Sequence, residues 1–125
     1  MKIIYRDGLL YTSVKISYKG QIKIIDNIVV DTGAAVSIIS PDAVYDLEIY
    51  PEEDDEIVTF IGVGGSEHHS FTKKIDEIEI GKFTVVEAKV DFGIIDPAGE
   101  INGLLGLDIL IAMGATIDLK EFKIC

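Results

Sequence analysis

The chain has 125 residues, 48% of them hydrophobic, so its length suits one domain with a buried core and excludes wholesale disorder. Its 22 acidic and 11 basic residues give a net charge of −11, which would repel nucleic acid and anionic membrane surfaces. No segment approaches the roughly 20 apolar residues of a membrane span, and residues 1–7 are not expected to form a signal peptide. Because the single cysteine, Cys125, cannot form an intrachain disulfide or a thiolate metal cluster, we expect a reducing, cytoplasmic location.

Alternating apolar and polar residues predict strands over the first 30 positions. One face of the first long strand carries Leu10, Thr12, Val14, Ile16 and Tyr18. Lys19-Gly20 is typical of a turn, and residues 21–26 are predicted to form the returning strand. Asn27 interrupts the alternation, and the continuous apolar run at 28–30 is typical of a strand covered on both faces.

The rest of the chain predicts short elements separated by turns and loops. Ser40-Pro41-Asp42 has the residue types of a helix start, and this helix is expected to end near Leu47. A second short helix is predicted over residues 107–113, before Gly114. Loops are predicted at 51–56 and 92–102, and the remaining strands at 57–61, 70–72, 75–80, 82–90, 115–119 and 122–124. The sum is one mainly all-β domain over residues 1–125, a small closed barrel with one or two short helices.

The most informative segment is Asp31-Thr32-Gly33, which follows the apolar run at 28–30. Asp and Gly are common in turns, so the triplet alone indicates only a turn that ends a strand. The hydrophobic residues on both sides, however, would bury the carboxylate in part. The small residues Gly33-Ala34-Ala35 would also let another backbone segment approach closely.

Two further motifs follow this one along the chain, the glycine-rich residues 61–65 and Leu104-Leu105-Gly106 before a short helix. With Asp31-Thr32-Gly33-Ala34 as the first of the three, the chain resembles the retropepsin-type aspartic proteases over about residues 8–119. It is more similar to their cellular and bacterial branch than to the viral one. The resemblance implies a closed acid-protease barrel with a glycine-rich flap hairpin. It assigns catalysis to Asp31, Thr32 and Gly33, and substrate binding to Ala34, Ala35, Gly62, Val63, Gly64, Leu104 and Leu105.

Aspartic proteolysis needs two carboxylates about 3 Å apart that share one proton, because like charges this close cannot both ionise. This chain has one Asp-Thr-Gly, since neither Asp108 nor Asp118 is followed by Thr-Gly. A homodimer would supply the second carboxylate, with one Asp31 from each chain. By resemblance, the Thr32 hydroxyl would brace the two loops, Gly33 would expose backbone groups to the substrate, and the hairpin at 62–65 would close over an extended peptide.

The chain also departs from the viral pattern. Ala35 stands where many viral members have an acid that binds the substrate backbone, and Val36 follows it, so the neighbouring subsites are expected to be apolar. The loops at 50–56 and 92–100 are longer than in minimal viral enzymes. Residues 120–125 extend the chain, which leaves the terminal contacts of the dimer open.

Other polar clusters have simpler interpretations. Glu67-His68-His69 suggests a metal site, but adjacent strand residues point to opposite faces, so we expect two exposed histidines that could still tune the flap near pH 6. The acidic run at 52–56 is predicted to be a solvated loop. The glycines at 62–65 are not followed by Lys-Ser or Lys-Thr, which argues against a phosphate-binding loop. Asp108 is expected near the start of the second helix, where a negative charge is favoured.

Two hypotheses follow. The first is a homodimeric aspartic endopeptidase that needs no metal or cofactor and cleaves peptides with apolar side chains around the scissile bond. The second is a catalytically weak or inactive module of the same fold that binds an extended peptide or dimerises, with which Ala35 and Val36 are compatible. Neither involves nucleic acid or membranes. The charge of −11 per chain opposes dimerisation, so mildly acidic pH or higher salt should favour it.

Overall fold

The computed structural model describes residues 1–61 and 67–125, and within these ranges ten strands, one 3-10 helix and one α-helix follow one another. The strands are β1 (Ile4–Arg6), β2 (Leu9–Tyr18), β3 (Gln21–Val30), β4 (Ile38–Ile39), β5 (Glu56–Ile61), β6 (Glu67–Ile80), β7 (Phe83–Phe92), β8 (Gly103–Leu105), β9 (Ile117–Asp118) and β10 (Lys123–Ile124). The 3-10 helix spans Pro41–Leu47 and the α-helix, α1, spans Leu107–Met113. The predicted glycine-rich tip at 62–65 lies outside the described residues.

Six strands close into a barrel in the order β2-β3-β8-β4-β7-β6, because β6 pairs back with β2. The pairs β3–β8 and β4–β7 are parallel, whereas the other pairs around the barrel are antiparallel. The predicted mainly β fold with a closed barrel and short helices is therefore confirmed. The parallel pair β3–β8 matters most for the site. It places Val30 opposite Leu105 and brings the residues that follow both strands to one end of the barrel.

The core is filled by branched aliphatic side chains from the inward face of each strand. Val14, Ile16 and Tyr18 are buried on β2, as the alternation predicts. All three residues of the apolar run Ile28, Val29 and Val30 are buried, which confirms that this part of β3 is covered on both faces.

Some element boundaries differ from the prediction, for local reasons. The predicted interruption at Asn27 does not end the strand: β3 continues through it, and Asn27 adopts a left-handed conformation (φ 57°) within the strand. The pairing of β2 with β3 shifts register between Thr12 and Val14, as at a β-bulge. The predicted strands at 70–72 and 75–80 are one long strand, β6. Ser40 precedes a 3-10 helix and its side chain makes no capping hydrogen bond.

The two termini pair with each other inside one chain. The Met1 amino group donates to the Ile124 carbonyl at 3.0 Å, and the Ile124 N–H donates to the Met1 carbonyl at 2.7 Å. The Ile3 N–H donates to the Phe122 carbonyl at 2.9 Å. Residues 120–125 thus close a small sheet with the N-terminus. No helix in the described part of the chain is long and apolar enough to cross a membrane.

Candidate active site

Asp31 is held where the parallel pair β3–β8 ends. Its backbone N–H donates to the carbonyl oxygen of Leu105 at 2.9 Å, which continues the ladder by one residue. The segment after β3 then leaves the sheet, and the Asp31 side chain is half-buried. The backbone of Asp31 is therefore hydrogen-bonded to the sheet directly after the end of β3.

The Asp-Thr-Gly sequence forms a tight turn around the carboxylate. The Gly33 N–H donates to Asp31 Oδ1 at 2.9 Å, and the Ala34 N–H donates to the Asp31 carbonyl at 3.2 Å. A Cβ atom at Gly33 would lie 3.1 Å from Asp31 Oδ1, so glycine leaves room for this side-chain orientation. Among the described residues, Asp31 Oδ2 has no hydrogen-bond partner, whereas Oδ1 is fixed. Thr32 and Gly33 are both exposed beside it.

The return of this loop packs directly on the segment between β8 and α1. The Leu107 N–H donates to the Ala34 carbonyl at 2.8 Å, and the Asp108 N–H donates to the Ala35 carbonyl at 3.2 Å. A Cβ atom at Gly106 would lie 2.7 Å from the Ala34 carbonyl oxygen, which is closer than side-chain carbons approach backbone. The small residues predicted to allow a close approach are thus matched by a glycine on the opposite segment.

A side-chain pair locks the same junction. The Ser37 hydroxyl donates to Asp108 Oδ1 at 2.7 Å and accepts the Gly106 N–H at 2.8 Å. The Ser37 N–H and the Ile109 N–H also donate to Asp108 Oδ1, at 3.0 and 2.8 Å. The prediction that Asp108 lies in the first turn of the second helix is confirmed. Its pairing with Ser37 was missed, because the two residues are 71 positions apart and only the β3–β8 register brings them together.

The residues assigned to substrate binding fall into four groups. Ala34 and Leu104 are half-buried, while Ala35 is exposed beside the Asp31 turn, as is Val36, which was not assigned to substrate binding. Leu105 is only 1% exposed, so its contribution to the site is its carbonyl, which accepts the Asp31 N–H. Gly62, Val63 and Gly64 lie outside the described residues.

The hairpin that leads to the glycine-rich tip is formed by β5 and β6. Their pairing runs from Glu56 opposite Thr72 to Ile61 opposite Glu67. His69 is exposed on β6, and its Nδ1 lies 3.2 Å from Thr59 Oγ1 on β5. In the described part of the chain, no three His, Cys, Asp or Glu side chains gather as a possible metal site.

The base of this hairpin carries a buried lysine. Lys73 on β6 is 6% exposed, and its ammonium donates to Asp55 Oδ2 at 2.8 Å and to the Glu52 carboxylate. The hydrogen bond from Lys73 holds the pKa of Asp55 below its usual value, and the same contact lowers the pKa of Glu52. The pKa of Lys73 is raised, because its bonds to Asp55 and Glu52 outweigh the burial that would lower it. The prediction of a solvated loop at 52–56 therefore does not hold for Asp55, whose carboxylate is bound to a buried lysine.

Two of the cavities on the described surface are relevant to the search for a peptide-binding groove, and neither is lined by a residue of the Asp31 turn. One, of about 340 Å³, lies between the hairpin arm and the end of β7, lined mostly by apolar residues including Ile57, Phe71, Phe92 and Ile94. A larger one, of about 510 Å³, is lined by residues of β1, β2 and β3 such as Arg6, Tyr11 and Asp26, and it includes no residue of the Asp31 turn. The smaller cavity adjoins the β5–β6 hairpin through Ile57 and Phe71, and this is the hairpin that was predicted to close over a peptide.

Comparison with known sequences and structures points in one direction. A family model described as Aspartyl protease matches residues 14–109, well over half of the chain. A search of curated proteins found no match.

Several solved structures share the fold. A retropepsin-like aspartic protease from Rickettsia conorii is 23% identical, with a TM-score of 0.67 and coverage of 100% of this chain and 99% of that chain. The EIAV protease, complexed with the inhibitor HBY-793, is 21% identical, with a TM-score of 0.64 and coverage of 93% and 99%. The retroviral protease-like domain of Ddi1 from Leishmania major is 16% identical, with a TM-score of 0.65 and coverage of 94% and 86%. At identities this low, the likenesses concern the fold.

Proposed function

The chain belongs to the aspartyl protease family and is an aspartic-type endopeptidase, and from this premise we propose that two copies form one active centre. Each copy contributes Asp31, and the two carboxylates share one proton across the two-fold axis. The observation that carries the proposal is the fixed Asp31 carboxylate, which one chain supplies only once in an Asp-Thr-Gly turn.

The reaction follows from this pair. The ionised Asp31 takes a proton from water as the water oxygen bonds to the scissile carbonyl carbon, and the protonated Asp31 donates its proton to the carbonyl oxygen. The Asp31 that took the proton from water then gives it to the amide nitrogen. The other Asp31 takes back a proton from a hydroxyl of the tetrahedral intermediate as the bond between carbon and nitrogen breaks, which leaves a carboxylic acid and an amine. Because the carboxylates act as one titrating unit, the pH profile reports the pair and not either residue.

The neighbouring residues have supporting roles in this proposal. Thr32 is exposed, so its hydroxyl is available to the loop of the second chain, and the exposed Gly33 backbone is available to the substrate. Ala35 and Val36 are exposed next to the turn, which supports a preference for apolar substrate side chains. The hairpin of β5 and β6 would cover an extended peptide. A reducing, cytoplasmic location, suggested by the lone exposed Cys125, belongs to the same proposal.

The direct test is the Asp31→Asn variant, assayed on a mixed pool of peptides by mass spectrometry across pH. Loss of the general acid and base should lower cleavage by at least about 10²-fold. A statine-type transition-state mimic should block the unmodified protein. Asp118→Asn is a matched control, because within residues 1–61 and 67–125 the Asp118 carboxylate accepts N–H groups of Lys120 and Glu121 and none from the Asp31 turn. Turnover of the Asp31 variant at the original rate would contradict the proposal.

A second candidate is a module that binds peptides without efficient cleavage. It is favoured by one observation: the exposed, apolar Ala35 stands where many viral members of the family have an acid that binds the substrate backbone, and the exposed Val36 follows it. Peptide binding with no product at any pH would support this candidate, whereas product formation that depends on Asp31 would exclude it.

A further inference from the structure

Ser37 and Asp108 lie beside the catalytic turn without belonging to it. Ser37 is 2% exposed and marks the point where the loop after Asp31 enters the short strand β4. Asp108 is half-buried in the first turn of α1. We propose that these two side chains form a positioning pair, which sets where the Asp31 carboxylate stands relative to β8 and α1. This inference rests on the proposed function.

The pair satisfies every polar group at its centre. Asp108 Oδ1 accepts from the Ser37 hydroxyl, the Ser37 N–H and the Ile109 N–H, at 2.7, 3.0 and 2.8 Å. The Ser37 hydroxyl in turn accepts the Gly106 N–H at 2.8 Å. Removing the carboxylate would leave the O–H and the N–H of the buried Ser37 without an acceptor, which costs more than the bonds themselves contribute.

The pair is the last of a row of tethers along the loop. The first is the Asp31 N–H to the Leu105 carbonyl, and the next two run from Leu107 and Asp108 to the carbonyls of Ala34 and Ala35. These three are bonds between backbone groups, and side chains enter them only through the room that Gly106 leaves. The hydrogen bond between Ser37 and Asp108 is made by side chains, so it depends directly on the identities of these two residues.

The consequence for catalysis is geometric. Two Asp31 carboxylates can share a proton only within a narrow separation, and a displacement of about 1 Å near reacting groups costs on the order of 10²-fold in rate. Neither Ser37 nor Asp108 touches the reacting atoms. Each acts through the loop that carries Asp31, so its loss should affect the rate per active centre more than substrate binding.

The test compares Asp108→Ala, Asp108→Asn and Ser37→Ala with the control Asp118→Ala. Active centres are counted by titration with a tight-binding statine-type inhibitor, so that a smaller folded fraction does not imitate a slower centre. In Asp108→Ala, kcat per active centre should fall by about 10- to 100-fold, with KM changed by less than about 3-fold. Asp108→Asn keeps an acceptor oxygen for the three donors and should restore most of the rate. The double variant, Ser37→Ala with Asp108→Ala, should be no slower than the slower single variant, because the residues act as one unit.

An unchanged kcat per centre in Asp108→Ala, or an Asn variant as slow as the Ala variant, would overturn the inference. A second measurement decides the matter even if the unmodified protein cleaves nothing and the proposed function fails. Amide exchange at Gly33, Ser37 and Gly106 should quicken in Asp108→Ala and return to the original rate in Asp108→Asn. Equal exchange in all three proteins would show that the pair positions nothing.

Discussion

One close backbone contact of the site depends on a single glycine, Gly106. Gly106 has an ordinary extended conformation (φ −93°), so its identity is not required by backbone strain. A Cβ atom there would instead lie 2.7 Å from the Ala34 carbonyl oxygen and 2.9 Å from the Val36 carbonyl oxygen. The glycine therefore allows the loop of Asp31 to lie directly on the start of α1.

We expect Gly106→Ala to destabilise the fold by about 1–3 kcal/mol, because both neighbours are backbone atoms that cannot rotate away. The measurement is urea unfolding followed by circular dichroism. Gly20→Ala is the comparison, since Gly20 has φ +81° but nothing within 4 Å of the added Cβ, and it should cost about 1 kcal/mol from backbone strain alone. A Gly106 variant as stable as the unmodified protein would refute the tight contact.

For single residues, the sequence predicted the place on a strand, turn or helix better than it predicted the hydrogen-bond partner. Asp31 at a strand end, Asp108 at a helix start and Gly114 after that helix all follow from local patterns, and all are confirmed. The bond between Asp108 and Ser37 could not be predicted, because its geometry depends on a parallel strand pair that joins distant parts of the chain.

Among the elements, the hairpin of β5 and β6 is tied to the acidic loop that precedes it. Lys73 on β6 is buried, while Glu52 and Asp55 come from the loop before β5. The Asp55 carboxylate also accepts the Glu52 N–H at 2.7 Å, so one lysine organises the whole turn. This contact fixes the base of the hairpin that is expected to cover the substrate.

Lys73→Met should lower the free energy of unfolding by about 1–2 kcal/mol, because bonds between charged groups are lost and Asp55 keeps no cation. The contribution of the contact should also depend on pH. The pKa of Asp55 is lowered from 3.8, so its share is present above that value and is lost as the pH falls through the lower, folded-state pKa. The pKa of Lys73 is raised from 10.5, so its share persists below that value and is lost only at higher pH.

Urea midpoints measured from about pH 2 to pH 9 check this expectation. The gap between the unmodified protein and the Lys73 variant should be constant near neutral pH and narrow in acid. Lys74→Met is the control, because Lys74 is exposed and its ammonium lies 4.0 Å from the Glu87 carboxylate, which is a weak contact at the surface. A gap that does not change in acid would contradict the assigned contact.

Strands and turns could be predicted where a local sequence pattern sets them. They could not be predicted where the pairing between two strands sets them. The hairpin turn at Lys19-Gly20 was predicted from the sequence and is confirmed. Both residues adopt the left-handed conformation that such two-residue turns require. The continuity of β3 through Asn27 was not predicted, because the bulge depends on the register with β2. The burial of Lys73 was also missed, since alternation along β6 gives no sign of the carboxylates that neutralise it.

For the molecule as a whole, charge and the pairing of the termini both bear on dimer formation. A dimer would carry twice the charge of −11 found on one chain, and this repulsion opposes association. The terminal strands already pair within one chain through Met1 and Ile124. The proposed dimer therefore does not need exchanged termini to satisfy these backbone groups.

We expect the dimer to be favoured by salt and by mildly acidic pH, because both reduce repulsion between the two chains. Sedimentation over a range of protein concentration, at about pH 5 and pH 8 and at low and high salt, measures this directly. Peptidase activity should follow the dimer fraction. A tight dimer at pH 8 and low salt would contradict the expectation.

The sharing of one active centre by two chains is tested most directly by mixing. The unmodified protein is held constant while inactive Asp31→Asn is added in about nine-fold excess, after sedimentation has shown that both proteins dimerise equally. If each centre needs an Asp31 from both chains, activity per unmodified chain should fall to about a tenth, the share of those chains that still pair with one another. Activity that is unaffected by the excess would mean that one chain works alone.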